Sequence, residues 1–122
     1  MTTLTRVGVD LVEVRRIRSA VERYGPRFME RVFTAQERAH SRNRAESLAA
    51  RWAAKEAVAK ALGSGIGPVR WRDVEVLNDE KGAPYLCLYG EALNLANALG
   101  LTHWAISLSH TQDHAIAVAV AS

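Results

Sequence analysis

The segment Arg51–Gly65, RWAAKEAVAKALGSG, constrains the fold more than any other part of the chain. Seven alanines fall between Leu48 and Leu62, and alanine has the highest helix propensity of any residue. At about 100° per residue, the apolar side chains pass nearly all the way round the axis. A helix with that pattern is buried on most sides, so the rest of the chain must wrap it. Gly63 stands where a left-handed C-terminal cap is wanted. Yet Arg51, Lys55, Glu56 and Lys60 are set into the same helix. Arg51 and Lys55 lie one turn apart on one edge, and Glu56 and Lys60 one turn apart on another. The second pair is expected to point into one enclosed space.

The flanking sequence supplies the wrapping. Thr5–Val12 is β-branched and apolar and predicts a strand. Glu13–Tyr24 has helical spacing at Val14, Ile17 and Val21, with Gly25-Pro26 as the stop. Phe28–Phe33 predicts a short helical turn. Thr34 with Glu37 three residues on forms a capping box, so another helix begins there. Asn43–Glu46 is polar and predicts a bend before the long helix. Asp73–Leu77 and Tyr85–Tyr89 flank the turn Asn78–Gly82 as a hairpin. Glu91–Leu99 predicts a helix ended by Gly100, and His103–Ser109 with His114–Ala121 alternates as a second hairpin. The expected architecture is α+β: a mostly antiparallel sheet packed with three or four helices, one of them long and buried. With 122 residues, a single domain over 1–122 is expected.

No apolar run approaches the roughly 18 residues that span a bilayer, so no membrane association is expected. The start, MTTLTRVGVDLVEV, lacks the basic-then-apolar pattern of a secretory signal. Cys87 is the one cysteine, which excludes an internal disulfide and a cysteine-based zinc cluster; it is expected in the core, in a cytoplasmic protein. The net charge is +3, but Arg15, Arg16, Arg18, Arg23, Arg27 and Arg31 crowd the N-terminal region. They form either a solvated helix face or a docking surface for an acidic partner.

Glu56 and Lys60 admit two readings. One is an ordinary i, i+4 pair, worth about 0.2–0.5 kcal/mol on an exposed helix. The other is a carboxylate and an ammonium that serve a polyanion and a divalent cation, since magnesium takes one or two carboxylates with phosphate oxygens and water. Gly63-Ser64-Gly65 would then bring backbone N–H groups and a hydroxyl to phosphate. Asp10 in VGVDLV offers the second carboxylate, at a strand end on the face of Gly8, which leaves room beside it. Asp10 could instead cap the following helix. Glu13 is its rival but should begin that helix and face solvent. In SLSHT, His110 follows two hydroxyls at a strand end. A His110–His114 metal pair lacks a third ligand nearby in sequence, and no serine stands in a Gly-x-Ser-x-Gly setting.

Gly8-Val9-Asp10 followed by Trp52-Ala53-Ala54-Lys55-Glu56-Ala57-Val58-Ala59-Lys60 resembles the pattern of the 4′-phosphopantetheinyl transferases. GVDLVEVRRI, FTAQE, RWAAKEAVAKALGSGIG, KGAP and SLSHT, in that order, are similar to its short holo-acyl-carrier-protein synthase branch. The resemblance implies that fold and a reaction. The phosphopantetheine arm of coenzyme A passes to a serine of an apo acyl-carrier protein, leaving adenosine 3′,5′-bisphosphate. It further implies Mg2+, or Mn2+, held by Asp10 and Glu56. Lys60 would neutralise phosphate charge, with Gly63 and Ser64 lining the phosphates. His110 and Arg51 would stand at the adenosine 3′-phosphate. Glu56 would be the serine's base, and Arg16 and Arg23 would dock an acidic carrier of fatty-acid or polyketide type. The branch also implies a homotrimer with sites between subunits. Thr111 departs from the pattern, since many relatives carry aspartate there. Two rivals stay open. A binding module for a nucleotide or coenzyme A would not need Asp10 and Glu56 together. A nucleic-acid domain would interleave exposed aromatics with basic residues, whereas Trp52 and Trp104 stand at core-like positions.

Overall fold

The computed structural model describes residues 4–122. The alanine-rich segment is helix α4, Ala45–Leu62, closed by Gly63 at φ 79°. It begins three residues earlier than expected, because the preceding bend is confined to Arg42 and Asn43, which both take positive φ. Strand β1 is Arg6–Glu13. Helices α1, Val14–Tyr24, α2, Pro26–Val32, and α3, Ala35–Ser41, follow. After α4 come a 3-10 turn, Trp71–Asp73, strands β2, Val74–Asn78, and β3, Pro84–Leu88, helix α5, Gly90–Ala98, and strands β4, Trp104–His110, and β5, His114–Ala121. The described residues thus hold five α-helices rather than three or four. The extra one is α2, where Pro26 occupies the first turn, a position that needs no N–H donor.

The strands form two antiparallel sheets, β1-β5-β4 and β2-β3, with α4 between them. On β5 the alternation runs opposite to the usual one. Ala115, Ala117, Ala119 and Ala121 face inward and are buried, while Ile116 and Val120 face outward and are exposed. The inward alanines meet the alanines of α4, so helix and sheet approach closely. Gly8 completes this seam. A Cβ there would stand 1.8 Å from the carbonyl oxygen of Ala57 and 3.0 Å from the amide nitrogen of Ala61. Backbone atoms cannot yield that distance, so Gly8→Ala should destabilise the chain by at least the roughly 1–3 kcal/mol of an overpacked core. A thermal melt within a degree of wild type would disprove this contact. Gly8 therefore makes room for α4, not for the Asp10 side chain as the sequence suggested.

The second sheet is joined to α4 through charge. Lys55 is fully buried and its ammonium meets Glu37 Oε1 at 2.7 Å, with the carbonyls of Trp71 at 3.0 Å and Val74 at 2.5 Å also accepting. Glu37 is equally buried. It closes the predicted capping box with Thr34, and its Oε2 accepts the Val76 N–H. One ion pair thus ties α3, α4, the 3-10 turn and β2. Cys87 is half-buried on β3 rather than in the core. No helix among the described residues is long and apolar enough to cross a membrane.

Candidate active site

Asp10 lies mid-strand on β1, on the face that carries Gly8 and Val12 toward α4. It is not the cap of α1, whose N-cap is Glu13. Glu13 instead reaches outward to Arg15 at 2.9 Å. Asp10 Oδ1 accepts from Lys60 Nζ at 3.0 Å, and the same ammonium donates to the Val9 carbonyl at 3.0 Å. Lys60 therefore pairs with Asp10 and is half exposed, where the sequence placed it in an enclosed pair with Glu56. Asp10 Oδ2 is buried and lacks a hydrogen-bond partner among the described residues. An orphaned carboxylate oxygen is costly in a protein interior. Glu56 is half-buried. Burial, then the Asp10 charge, push its carboxyl above the usual carboxylate range, while Lys60 and Arg16 pull the other way. Two carboxylates near enough for one to raise the other, one with an unused oxygen, fit a hard divalent cation that completes its shell with phosphate and water.

The expected phosphate loop is built differently. The N–H groups of Gly63, Ser64 and Gly65 donate to the carbonyls of Lys60 and Ala59, and Ser64 Oγ donates to the Gly65 carbonyl. They satisfy the open carbonyls at the end of α4 and do not form an open nest of N–H donors.

His110 and Arg51 lie elsewhere. His110 is exposed at the end of β4, near Ser47. Ser47 precedes Glu56 by nine residues on α4, about 13 Å of helix. Arg51 is buried and its guanidinium donates to Val76 O at 3.2 Å, Ser47 Oγ at 2.7 Å and Asn78 Oδ1. Burial lowers its pKa against the opposing pull of Glu37. Arg51 and His110 share the lining of one small cleft. The predicted residues thus fall in two groups along α4: Asp10, Glu56 and Lys60 toward its C-terminal half, and Arg51 with His110 toward its N-terminal half.

The arginines of α1 and α2 are all exposed. Arg15 and Arg18 are paired with Glu13 and Glu46. Arg16 lies 5.8 Å over the Trp52 ring, which packs on Trp71 with centroids 5.1 Å apart, and Arg23 lies 5.6 Å from the Tyr24 ring. Arg16 also biases Glu56, so the basic face reaches the carboxylates.

A separate cleft holds none of the predicted site residues. It lies among Thr34, Arg70, Trp71, Glu75 and Tyr89. Its buried carboxylate, Glu75, accepts from Thr34 Oγ1 at 2.5 Å and Tyr89 Oη at 3.0 Å, and that bond pushes the Tyr89 phenol up to about 12. Among the described residues, the carboxylate cluster is the place that joins two acids, a lysine and an orphaned carboxylate oxygen. The sequence missed the Glu37–Lys55 and Glu75–Tyr89 links. Only the capping box hinted at Glu37.

Paired acids, a lysine and a bordering basic helix are groups suited to phosphate-ester group transfer. The model of the 4′-phosphopantetheinyl transferase superfamily matches residues 6–119. Holo-acyl-carrier-protein synthase of Herpetosiphon aurantiacus is 55% identical over 120 residues, covering 93% of this chain and 94% of that protein. The corresponding protein of Gloeobacter violaceus is 46% identical over 120 residues, covering 95% and 91%. The crystal structure of the Helicobacter pylori synthase in complex with coenzyme A has a TM-score of 0.87 at 32% identity, covering 95% of this chain and 99% of that one. The chain belongs to the 4′-phosphopantetheinyl transferase superfamily. It is an enzyme, a phosphopantetheinyl transferase.

Proposed function

We propose that this chain transfers the 4′-phosphopantetheine group of coenzyme A to a serine hydroxyl of an apo acyl-carrier protein and releases adenosine 3′,5′-bisphosphate. The observation that carries this reading is the Asp10–Glu56–Lys60 cluster with its orphaned Asp10 oxygen. Asp10 and Glu56 would hold Mg2+, with Mn2+ as a substitute. When bound, the ion supplies charge neutralisation across the diphosphate. Lys60, oriented by Asp10, sets its exposed ammonium against phosphate. Gly63 and Ser64 border that path as surface. Glu56 takes the proton of the serine as the Oγ–P bond forms. The bond from that phosphorus to the bridging oxygen breaks, and its electron pair leaves on the bisphosphate.

Arg16 and Arg23 dock the acidic carrier, of fatty-acid or polyketide type, because neither has a carboxylate partner among the described residues. His110, with Arg51 behind it, serves the adenosine 3′-phosphate. Arg51 acts by position, since its donors are already engaged. His110 stands beside Ser47, about 13 Å along α4 from Glu56, so a second copy supplies His110 to the site. The outward sheet face is the surface for that copy. Val7, Val9 and Leu11 on β1 are 61%, 49% and 64% exposed and stand opposite Val120, Val118 and Ile116. Such a contiguous apolar patch marks an interface, here of a homotrimer with sites between subunits. The unpaired Cys87 agrees with a cytoplasmic setting.

Intact-mass measurement of an apo carrier incubated with this chain, coenzyme A and Mg2+ tests the reaction. A gain of one phosphopantetheine, abolished by EDTA, is expected. Coenzyme A binding with no gain on either carrier type would favour the binding module instead. In the same assay Arg16→Ala should raise KM for the carrier and not for coenzyme A; equal rises would remove its docking role. Leu11→Glu should give folded monomers in sedimentation that transfer nothing. A fully active monomer would end the shared-site reading.

A further inference from the structure

Arg6 opens β1 on the face turned to α4. It stands outside the GVDLVEVRRI segment that carries the family resemblance. Its half-buried guanidinium donates to the Ala61 carbonyl at 3.3 Å. One of its nitrogens lies 3.2 Å from where a Cβ on Gly63 would stand, so a glycine there admits this approach. Among the described residues, this is its one hydrogen bond and it has no carboxylate partner. A guanidinium carries several further N–H donors in a planar fork.

The surroundings give those donors a task. The loop N–H groups of Gly63, Ser64 and Gly65 are engaged by α4. The end of α4 presents the negative pole of the helix, which disfavours an anion. Lys60 is drawn toward Asp10. A diphosphate seated at Asp10 and Glu56 and lined by Gly63, as the resemblance implies, would meet that negative pole and need a cation beside it. Arg6 lies four residues before Asp10 on the same strand face, and its guanidinium stands over the end of α4, at Ala61 and Gly63.

We propose that Arg6 is a second cationic binding residue for the diphosphate of the co-substrate, gripping the phosphate farther from Glu56 through its fork. This rests on the coenzyme A reading above. Calorimetric titration of coenzyme A and of 3′-dephospho-coenzyme A, in Mg2+ buffer, onto the full chain and its Arg6→Gln and Arg6→Lys variants tests it. Arg6→Gln should weaken both nucleotides equally, by about tenfold, the usual size of one lost charge-assisted hydrogen bond. Arg6→Lys should recover part of that loss, since it keeps the charge but not the fork. Glutamine can still donate to Ala61 O, so the melting temperature should hold. Unchanged affinity in Arg6→Gln would overturn the assignment and leave Arg6 as a helix cap. A loss confined to coenzyme A would overturn it in favour of the 3′-phosphate. A wild-type chain that binds coenzyme A but transfers nothing would sink the transfer reading alone.

Discussion

Glu56→Gln should lower kcat for phosphopantetheine transfer by about 10²–10⁴-fold, the usual contribution of a positioned acid or base, and leave the fold intact. The two side chains have nearly the same shape, so α4 has no reason to move. What changes is a carboxylate held half-buried opposite Asp10, which glutamine cannot replace as base or as ion ligand. The same environment fixes a sign for stability. In the metal-free chain the carboxyl is raised by burial and then by Asp10, whereas a bound cation pulls it the other way. For stability, a carboxyl whose folded pKa exceeds its unfolded one binds more protons when folded. Stability then falls as pH rises through that window. In metal-free buffer at neutral pH, Glu56→Gln should therefore melt at or above wild type. Full activity, or a markedly lower melting temperature, would remove Glu56 from its proposed role.

The second large effect is structural. Lys55→Met should cost about 3–5 kcal/mol, because it leaves Glu37 charged and fully enclosed, and lower the melting temperature by roughly 10 °C or more. Methionine approximates the volume, so lost packing is a minor part. The carbonyls of Trp71 and Val74 lose their donor as well. The double variant Glu37→Gln/Lys55→Met should cost less than the two single costs added, since neither partner is then left as an unpaired charge. Additive losses would show that the two charges act independently.

The charges of α4 divide in a way the sequence could not show. Alanine spacing made the helix, its burial and its Gly63 cap legible. The motif singled out Glu56 and Lys60, which the structure brings beside Asp10. Lys55 and Arg51 look no different from them in sequence, yet they are the buried pair, bound chiefly to groups 16 to 27 residues away. Such partners follow from how β2 and α3 fold onto α4, which no local pattern carries. Likewise Asp10 looked like a strand end or a cap because the run VGVDLV is short. Register against β5 shows that β1 continues to Glu13. The separation of His110 from Glu56 follows from which end of α4 each strand end meets.

The seam of alanines between β5 and α4 acts as a spacer for the chemistry. Asp10 lies on β1, paired with β5 at Ala117, and Glu56 lies on α4, so the distance between them follows how closely Gly8 and the inward alanines let helix approach sheet, residues with no part in the chemistry. Close-packed interiors hold no slack to absorb an added methylene. A larger residue in the seam would be passed on as a displacement of helix from strand. A misplacement of about 1 Å can cost around 10²-fold in rate. Catalytic loss is thus expected from substitutions buried well away from any phosphate, in proteins that still fold.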